Sequence, residues 1–179
     1  VSFQNVGIVR QDEDSSQYSL GPYALALGLA ALEQFDIFSV AKPLMQDLVT
    51  EIEHTVFLGV WGNKGPTIVY RIEGGLSQPL LGLKLGSVLP LLSSALGRNF
   101  LAHLPEARTQ SLIDSETDGK VSGVITGLHR NYNIKDIEQI RSEVLKYKIS
   151  RCRDALLPNF TSLSAPIFDM SNEMIAGLT

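Results

Sequence analysis

Cysteine is nearly absent from this chain. Cys152 is the only one among 179 residues, which excludes an internal disulfide framework and suits a reducing, cytoplasmic setting. Histidine is also scarce. His54, His103 and His129 have no second His, Cys or carboxylate at metal-ligand spacing such as HxxxH or CxxC. No GxxxxGKS or GxxxxGKT phosphate loop and no nucleophile motif occurs. Excess positive charge is lacking too. Fifteen Lys and Arg stand against nineteen Asp and Glu, giving a net charge of −4 and a pI near 5.3. A free-standing DNA-binding module carries a basic face, so this chain alone is not expected to hold DNA. No apolar run approaches the ~18 residues needed to cross a membrane, and the start shows no basic-then-apolar secretion signal. Internal repeats and low-complexity tracts are missing as well.

What is present is an ordinary globular composition, 44% hydrophobic and 19% charged, long enough for one domain with a substantial core. The chain opens on Val1-Ser2-Phe3 and closes on the apolar run Met174 to Thr179. An unpaired strand at an end is a liability, so it reads as a piece of a larger protein.

Alternation on either side of the polar run from Gln11 to Ser16 predicts a hairpin within residues 6–20. Gly21-Pro22 opens a helix, proline suiting its first turn. Leu25, Leu27, Leu29, Leu32 and Phe35 make that helix apolar nearly all round, so a partner subunit or further residues should cover it. Val40, Leu44, Leu48 and Ile52 predict a second helix from Phe38 to His54. Thr55 to Trp61 and Thr67 to Ile72 read as a hairpin with a longer loop. A helix over residues 93–104 follows, then a short one from Pro105 to Ser115, a mobile loop over 117–127, and a helix from Ile134 to Tyr147. Three strands close the chain: Ile149–Asp154, Phe160–Phe168 and Glu173–Thr179. Helices grouped around antiparallel strand pairs predict an α+β fold.

Two features suggest a binding site. Ser93 and Ser94 cap a helix start, where free backbone N–H groups and the helix dipole favour a carboxylate. In the closing strands, alternation puts Ser150 with Cys152, Phe160 with Ser162 and Ser164, and Ile175 with Gly177 and Thr179. If these faces coincide, they offer a few polar groups on an apolar floor, as small-molecule sites do. The other reading is a half-exposed sheet with solvent-facing serines. Cys152 has two readings as well: a reactive thiol, or a buried or pocket-lining one. Its neighbours Arg151 and Arg153 point to the opposite face of a strand. The histidines read as structural, His54 and His103 near helix C-termini, with a zinc site built from distant residues the alternative.

Tyr18-Ser19-Leu20-Gly21, the stretch Leu91 to Pro105, and Leu163-Ser164-Ala165-Pro166-Ile167-Phe168-Asp169 resemble, in order and spacing, the effector-binding half of IclR-type bacterial transcription regulators. The resemblance covers nearly the whole chain. It implies a GAF-like domain over residues 37–179, a curved antiparallel sheet with flanking helices. Residues 1–20 would end the wing of a winged helix–turn–helix lying mostly outside this chain, and residues 21–36 would be a linker helix. It also implies dimers or tetramers, DNA binding through the N-terminal domain, no cofactor, no enzymatic activity and a small organic acid as effector. Carried over by position, the backbone of Ala95 and Leu96 would receive the effector carboxylate. Leu89 and Phe160 would supply apolar walls, and Cys152, Ser162 and Thr179 a polar floor. Departures from the family pattern are Cys152, where some members carry an acid, the bulky Leu96, and Lys148 and Asn159 in place of frequent glycines. A dimerisation module without ligand and a Cys152 redox sensor are the alternatives.

Overall fold

The computed structural model describes residues 2–33, 37–75, 83–118, 132–154 and 159–179. They form two compact units, residues 1–47 and 48–179. In the first, strands β1 (Val9–Gln11) and β2 (Tyr18–Leu20) pair antiparallel. The Asp12 carboxylate closes their turn by accepting from the Ser15 N–H at 2.8 Å. Helix α1 (Pro22–Glu33) follows. Tyr23, Leu25 and Leu27 on it are exposed. Leu29, Leu32 and Phe35 lie outside the residues whose side chains are described.

Helix α2 (Ile37–Ile52) contains the boundary between the units. Its Ala41, Met45 and Val49 are buried, while Val40 and Leu44 are exposed. The i, i+4, i+8 spacing of the buried set gives one apolar stripe.

In the second unit, β3 (Val56–Gly62), β4 (Gly65–Ile72), β5 (Ser150–Arg153), β6 (Thr161–Phe168) and β7 (Met174–Leu178) form one antiparallel sheet in the order β4-β3-β7-β6-β5. The last strand in sequence is thus central. The β3–β4 loop is tighter than its sequence suggested. Gly62 pairs with Gly65 across Asn63-Lys64 alone, and Gly65 takes the positive φ of 114° there, a conformation open to glycine.

Three helices belong to this unit: α3 (Ala95–His103), α4 (Glu106–Thr117) and α5 (Ile134–Tyr147). Helix α3 touches β4, β5, β6, β7 and α5. Leu96, Phe100 and Leu101 of α3 join Ile113 of α4, Ile137, Ile140 and Val144 of α5, and Phe57, Ile68 and Met174 of the strands in one core. Trp61 meets Phe100 edge-on at 5.5 Å. The fold is therefore α+β, a curved antiparallel sheet with flanking helices. Most of the loop expected at 117–127 lies outside the described residues; Thr117 itself ends α4.

Helix α5 starts at a capping box. The Asn133 side chain accepts from the Asp136 N–H, and the Asp136 carboxylate accepts from the Asn133 N–H. Lys148 ends it in the left-handed region at φ 55°, which glycine adopts freely and lysine adopts at a cost of roughly 1 kcal/mol. Lys148→Gly should therefore raise the melting temperature by roughly 2–4 °C. Unchanged or lowered melting in differential scanning calorimetry would show that the lysine side chain contributes more than its backbone strain costs.

Candidate functional site

The site begins at the start of α3. Ser94 caps it: its hydroxyl accepts from the Gly97 N–H at 2.8 Å and donates to the Pro90 carbonyl at 2.6 Å. Capping takes up one of the first-turn donors and leaves the N–H groups of Ala95 and Leu96 without an acceptor inside the helix. Both residues are buried. The helix dipole adds partial positive charge there. Short segments before the helix are held by charged side chains. Glu116 of α4 accepts from the Leu91 N–H at 2.5 Å and the Leu92 N–H at 2.8 Å. Burial pushes the Glu116 carboxyl above the usual carboxylate range, and the two N–H bonds work against that rise. Arg98 of α3 donates to the Leu92 carbonyl at 2.8 Å and to the Arg151 carbonyl of β5 at 2.7 Å. It ties helix, loop and edge strand together.

Below α3 lies one face of the sheet. Ser150 stands opposite Ser164 and Cys152 opposite Ser162, so the faces that alternation set out strand by strand coincide here. Ser150, Cys152 and Ser164 are buried, while Arg151 and Arg153 are exposed. The Ser150 hydroxyl donates to the Ala95 carbonyl at 2.5 Å and so anchors the first turn of α3 to β5. The Asn99 amide, one turn on, donates to the Ser164 hydroxyl at 2.9 Å. Leu96 lies over two glycines. A Cβ on Gly59 would collide with its Cδ2, and one on Gly177 would lie 2.6 Å from its Cδ1. Glycine at both positions is what lets a leucine occupy this part of the helix–sheet interface.

Thr179 continues β7, exchanging backbone bonds of 2.7 and 2.8 Å with Phe57. Its hydroxyl oxygen is buried with no partner among the described residues, and so is Asn99 Oδ1. Leu89 is buried in the core, its N–H on the Pro66 carbonyl at 2.7 Å. The Ser162 hydroxyl is 3.4 Å from the Cys152 carbonyl. Ala95, Leu96, Cys152 and Ser162 therefore lie on the two sides of one helix–sheet seam, with Leu89 in the adjoining core. Phe160 stands apart from them. It precedes β6, is 45% exposed, and its carbonyl accepts the Asp154 N–H. Ile175 was expected to share a face with Gly177. A register shift between Ile167 and Phe168 interrupts the alternation, so Met174 is buried and Ile175 is 42% exposed.

Sequence reading missed three side chains that organise the site: Asn99, Glu116 and Arg98. A fully buried asparagine inside an apolar helix is the one with a readable signal, because a polar residue at a core position needs a partner. Among the described residues no group of three or more His, Cys, Asp or Glu could hold a metal ion. His103 Nδ1 lies 2.8 Å from the Asn99 carbonyl and its ring packs on Phe168. His129 lies outside the described residues. No described helix is long and apolar enough to cross a membrane.

Comparison with known proteins extends this picture. Residues 29–179 match the model of the bacterial transcriptional regulator IclR C-terminal domain. The chain is 29% identical over 181 residues to the HTH-type transcriptional regulator KipR of Bacillus subtilis, covering 99% of this chain and 68% of that protein. Its fold resembles HmgR of Pseudomonas aeruginosa with a TM-score of 0.68 and 30% identity, covering 98% of this chain and 67% of that one. An IclR homolog of Microbacterium hydrocarbonoxydans, crystallised with 4-hydroxybenzoate, superposes with a TM-score of 0.73 at 17% identity, covering 98% and 70%. The chain thus spans about two thirds of the length of each of these relatives. The curated relatives are transcriptional regulators, not enzymes. A match over residues 29–179, together with the α+β architecture, places the chain in the IclR family of bacterial transcriptional regulators, with residues 29–179 matching the family's C-terminal domain.

Proposed function

We propose that this domain senses a small organic acid and passes that signal to an attached winged helix–turn–helix. The carrying observation is the buried start of α3, whose Ala95 and Leu96 N–H groups lack an acceptor inside the helix. A carboxylate suits such a position on both hydrogen-bonding and dipole grounds. Ser150 holds the first turn in place from β5, so the donors are fixed before an acid arrives. Cys152, Ser162 and Thr179 lie on the sheet side and supply weak or neutral polar groups rather than charge. That balance supports an acid with a largely apolar body. The 4-hydroxybenzoate bound by the Microbacterium hydrocarbonoxydans homolog supports an aromatic one, with Leu89 in the adjoining core as an apolar contact.

In this reading residues 1–20 end the wing and residues 21–36 form a linker helix. Residues 37–179 are the sensor. The exposed Tyr23 and Leu27, one turn apart on α1, with Leu25 on its other side, support self-association along that helix, because exposed apolar surface costs free energy in water. Effector binding would bias the arrangement of two subunits by its differential affinity, typically ~1–3 kcal/mol. The redox reading of Cys152 is disfavoured by its burial, since a reactive thiol needs access.

Thermal unfolding against glyoxylate, pyruvate, succinate, benzoate, 4-hydroxybenzoate, protocatechuate and phenylacetate tests the proposal. An acid at a hundred times its dissociation constant adds about 2.7 kcal/mol, a rise of several degrees for a chain of this size. Ala95→Pro should abolish the rise, because proline is tolerated at the first helical position but has no N–H. A rise retained in Ala95→Pro would place the carboxylate elsewhere. No rise with any acid would favour a dimerisation module without a ligand.

A further inference from the structure

Asn99 is the residue in the seam that packing alone does not explain. It is fully buried on α3, four residues and one turn beyond Ala95, on the face turned to β6. One end of its amide donates to the Ser164 hydroxyl at 2.9 Å. The other end, Oδ1, is shielded from water and has no partner among the described residues. Buried carbonyl oxygens are nearly always hydrogen-bonded, and an alanine here would fill the helix position with better propensity and no orphan. The Thr179 hydroxyl, a second buried polar group on the same domain, also has no partner among the described residues.

Position decides what could satisfy Asn99. Side chains of a helix lean toward its N-terminus, so the amide leans back toward the turn that carries the Ala95 and Leu96 N–H groups. Residues four apart stand about 6 Å from one another along one face. Oδ1 only accepts hydrogen bonds, so its missing partner is a donor.

Taking the organic-acid reading above as its basis, we infer that Asn99 Oδ1 selects an acid bearing a hydroxyl group about 6 Å from its carboxylate. The carboxylate would sit on the α3 start and the hydroxyl would donate to Asn99, with Ser164 holding the amide in orientation from the other side. An acid of the same shape without the hydroxyl leaves the acceptor unpaired, and one with the hydroxyl beside the carboxylate cannot reach it. Ser150 on the Ala95 carbonyl and Leu96 against Gly59 and Gly177 hold the α3 start and the Asn99 turn in fixed relation.

The test is isothermal titration of the 179-residue chain with the pair 4-hydroxybenzoate and benzoate, and of Asn99→Ala with the same pair. The expected result is at least tenfold tighter binding of the hydroxy acid by the original chain, with the preference reduced to about twofold or less in Asn99→Ala. Because the readout is a ratio within one protein, partial unfolding of the variant lowers both affinities and leaves the ratio interpretable. Ser164→Ala provides a second variant, expected to narrow the preference without removing it. Equal binding of both acids by the original chain, or a preference unchanged in Asn99→Ala, would overturn the role of Asn99 and leave the sensor reading intact. Binding of neither acid at millimolar concentration, with other acids of the panel bound, would overturn the hydroxy-acid class. No binding by any acid of the panel would remove the sensor reading and this inference together.

Discussion

Gly97→Ala is expected to destabilise the domain by about 2–3 kcal/mol, seen as a melting temperature lowered by roughly 4–12 °C. The sign is the informative part. Gly97 sits inside α3 with no positive φ, so helix propensity alone predicts that alanine stabilises it, by about 1 kcal/mol. Packing predicts the reverse. A Cβ at position 97 would collide with the Pro90 carbonyl oxygen and lie 2.5 Å from that of Leu91 and 2.6 Å from the Leu91 Cα. These are backbone atoms. They are held in turn by Ser94 on the Pro90 carbonyl and by Glu116 on the Leu91 N–H, so they cannot swing aside as a flexible side chain would. The helix would have to move off its own leader segment, shifting Ala95 and Leu96 with it. Calorimetric melting and acid affinity should therefore fall together. A stabilised Gly97→Ala would mean that the leader segment yields easily and that the α3 start is not rigidly placed.

Glu116→Ala should cost about 3 kcal/mol. It strips the acceptors from two N–H groups in a buried segment, each worth about 1–3 kcal/mol when left unpaired. Leu91 and Leu92 are fully buried, so water does not take over. Glu116→Gln keeps the shape and one acceptor oxygen but turns an amide N–H₂ toward the second N–H, and should fall between the two. The pH dependence has a definite direction. The folded state holds the Glu116 proton more tightly than the unfolded chain, because burial raises its carboxyl above the usual 4.5. Stability from this group is therefore highest at low pH and declines as pH rises from the ordinary carboxylate range through the raised value. Glutamine does not titrate, so the gap between the original chain and Glu116→Gln should narrow with rising pH. Denaturant unfolding at several pH values reads this. A gap that widens would show that the two N–H bonds outweigh burial.

These side chains also mark where sequence reading stopped. Helix α5 was legible because the stripe of Ile137, Ile140, Val144 and Tyr147 is local; the first three are buried, while Tyr147 at the helix end is exposed. That Ser150 goes with Cys152, and Ser162 with Ser164, was legible from a period of two; that the two pairs meet on one face depends on the β5–β6 register. Ile175 was not, because the register shift in β6–β7 depends on the partner strand. The central place of β7 was hidden for the same reason: nothing local in Met174 to Leu178 says that it pairs with β3 as well as β6. Glu116 and Asn99 act on residues 25 and 65 positions away. A long-range polar partner leaves no periodic trace, whereas an apolar stripe does. The start of α3 was legible because a serine cap announces it locally, whereas the parts given to Ala95 and Leu96 rest on the family resemblance; the orphaned acceptor one turn on, Asn99, left no signal that was read.

The central claim, that an organic acid lands on the α3 start, is tested most directly by amide chemical shifts. The ¹⁵N-labelled chain is titrated with 4-hydroxybenzoate and, separately, with glyoxylate. If the claim is right, a saturable downfield shift of the Ala95 and Leu96 amides accompanies binding of at least one acid, larger than that of other α3 amides. Saturable binding that leaves those two amides unmoved while shifts gather elsewhere would contradict it.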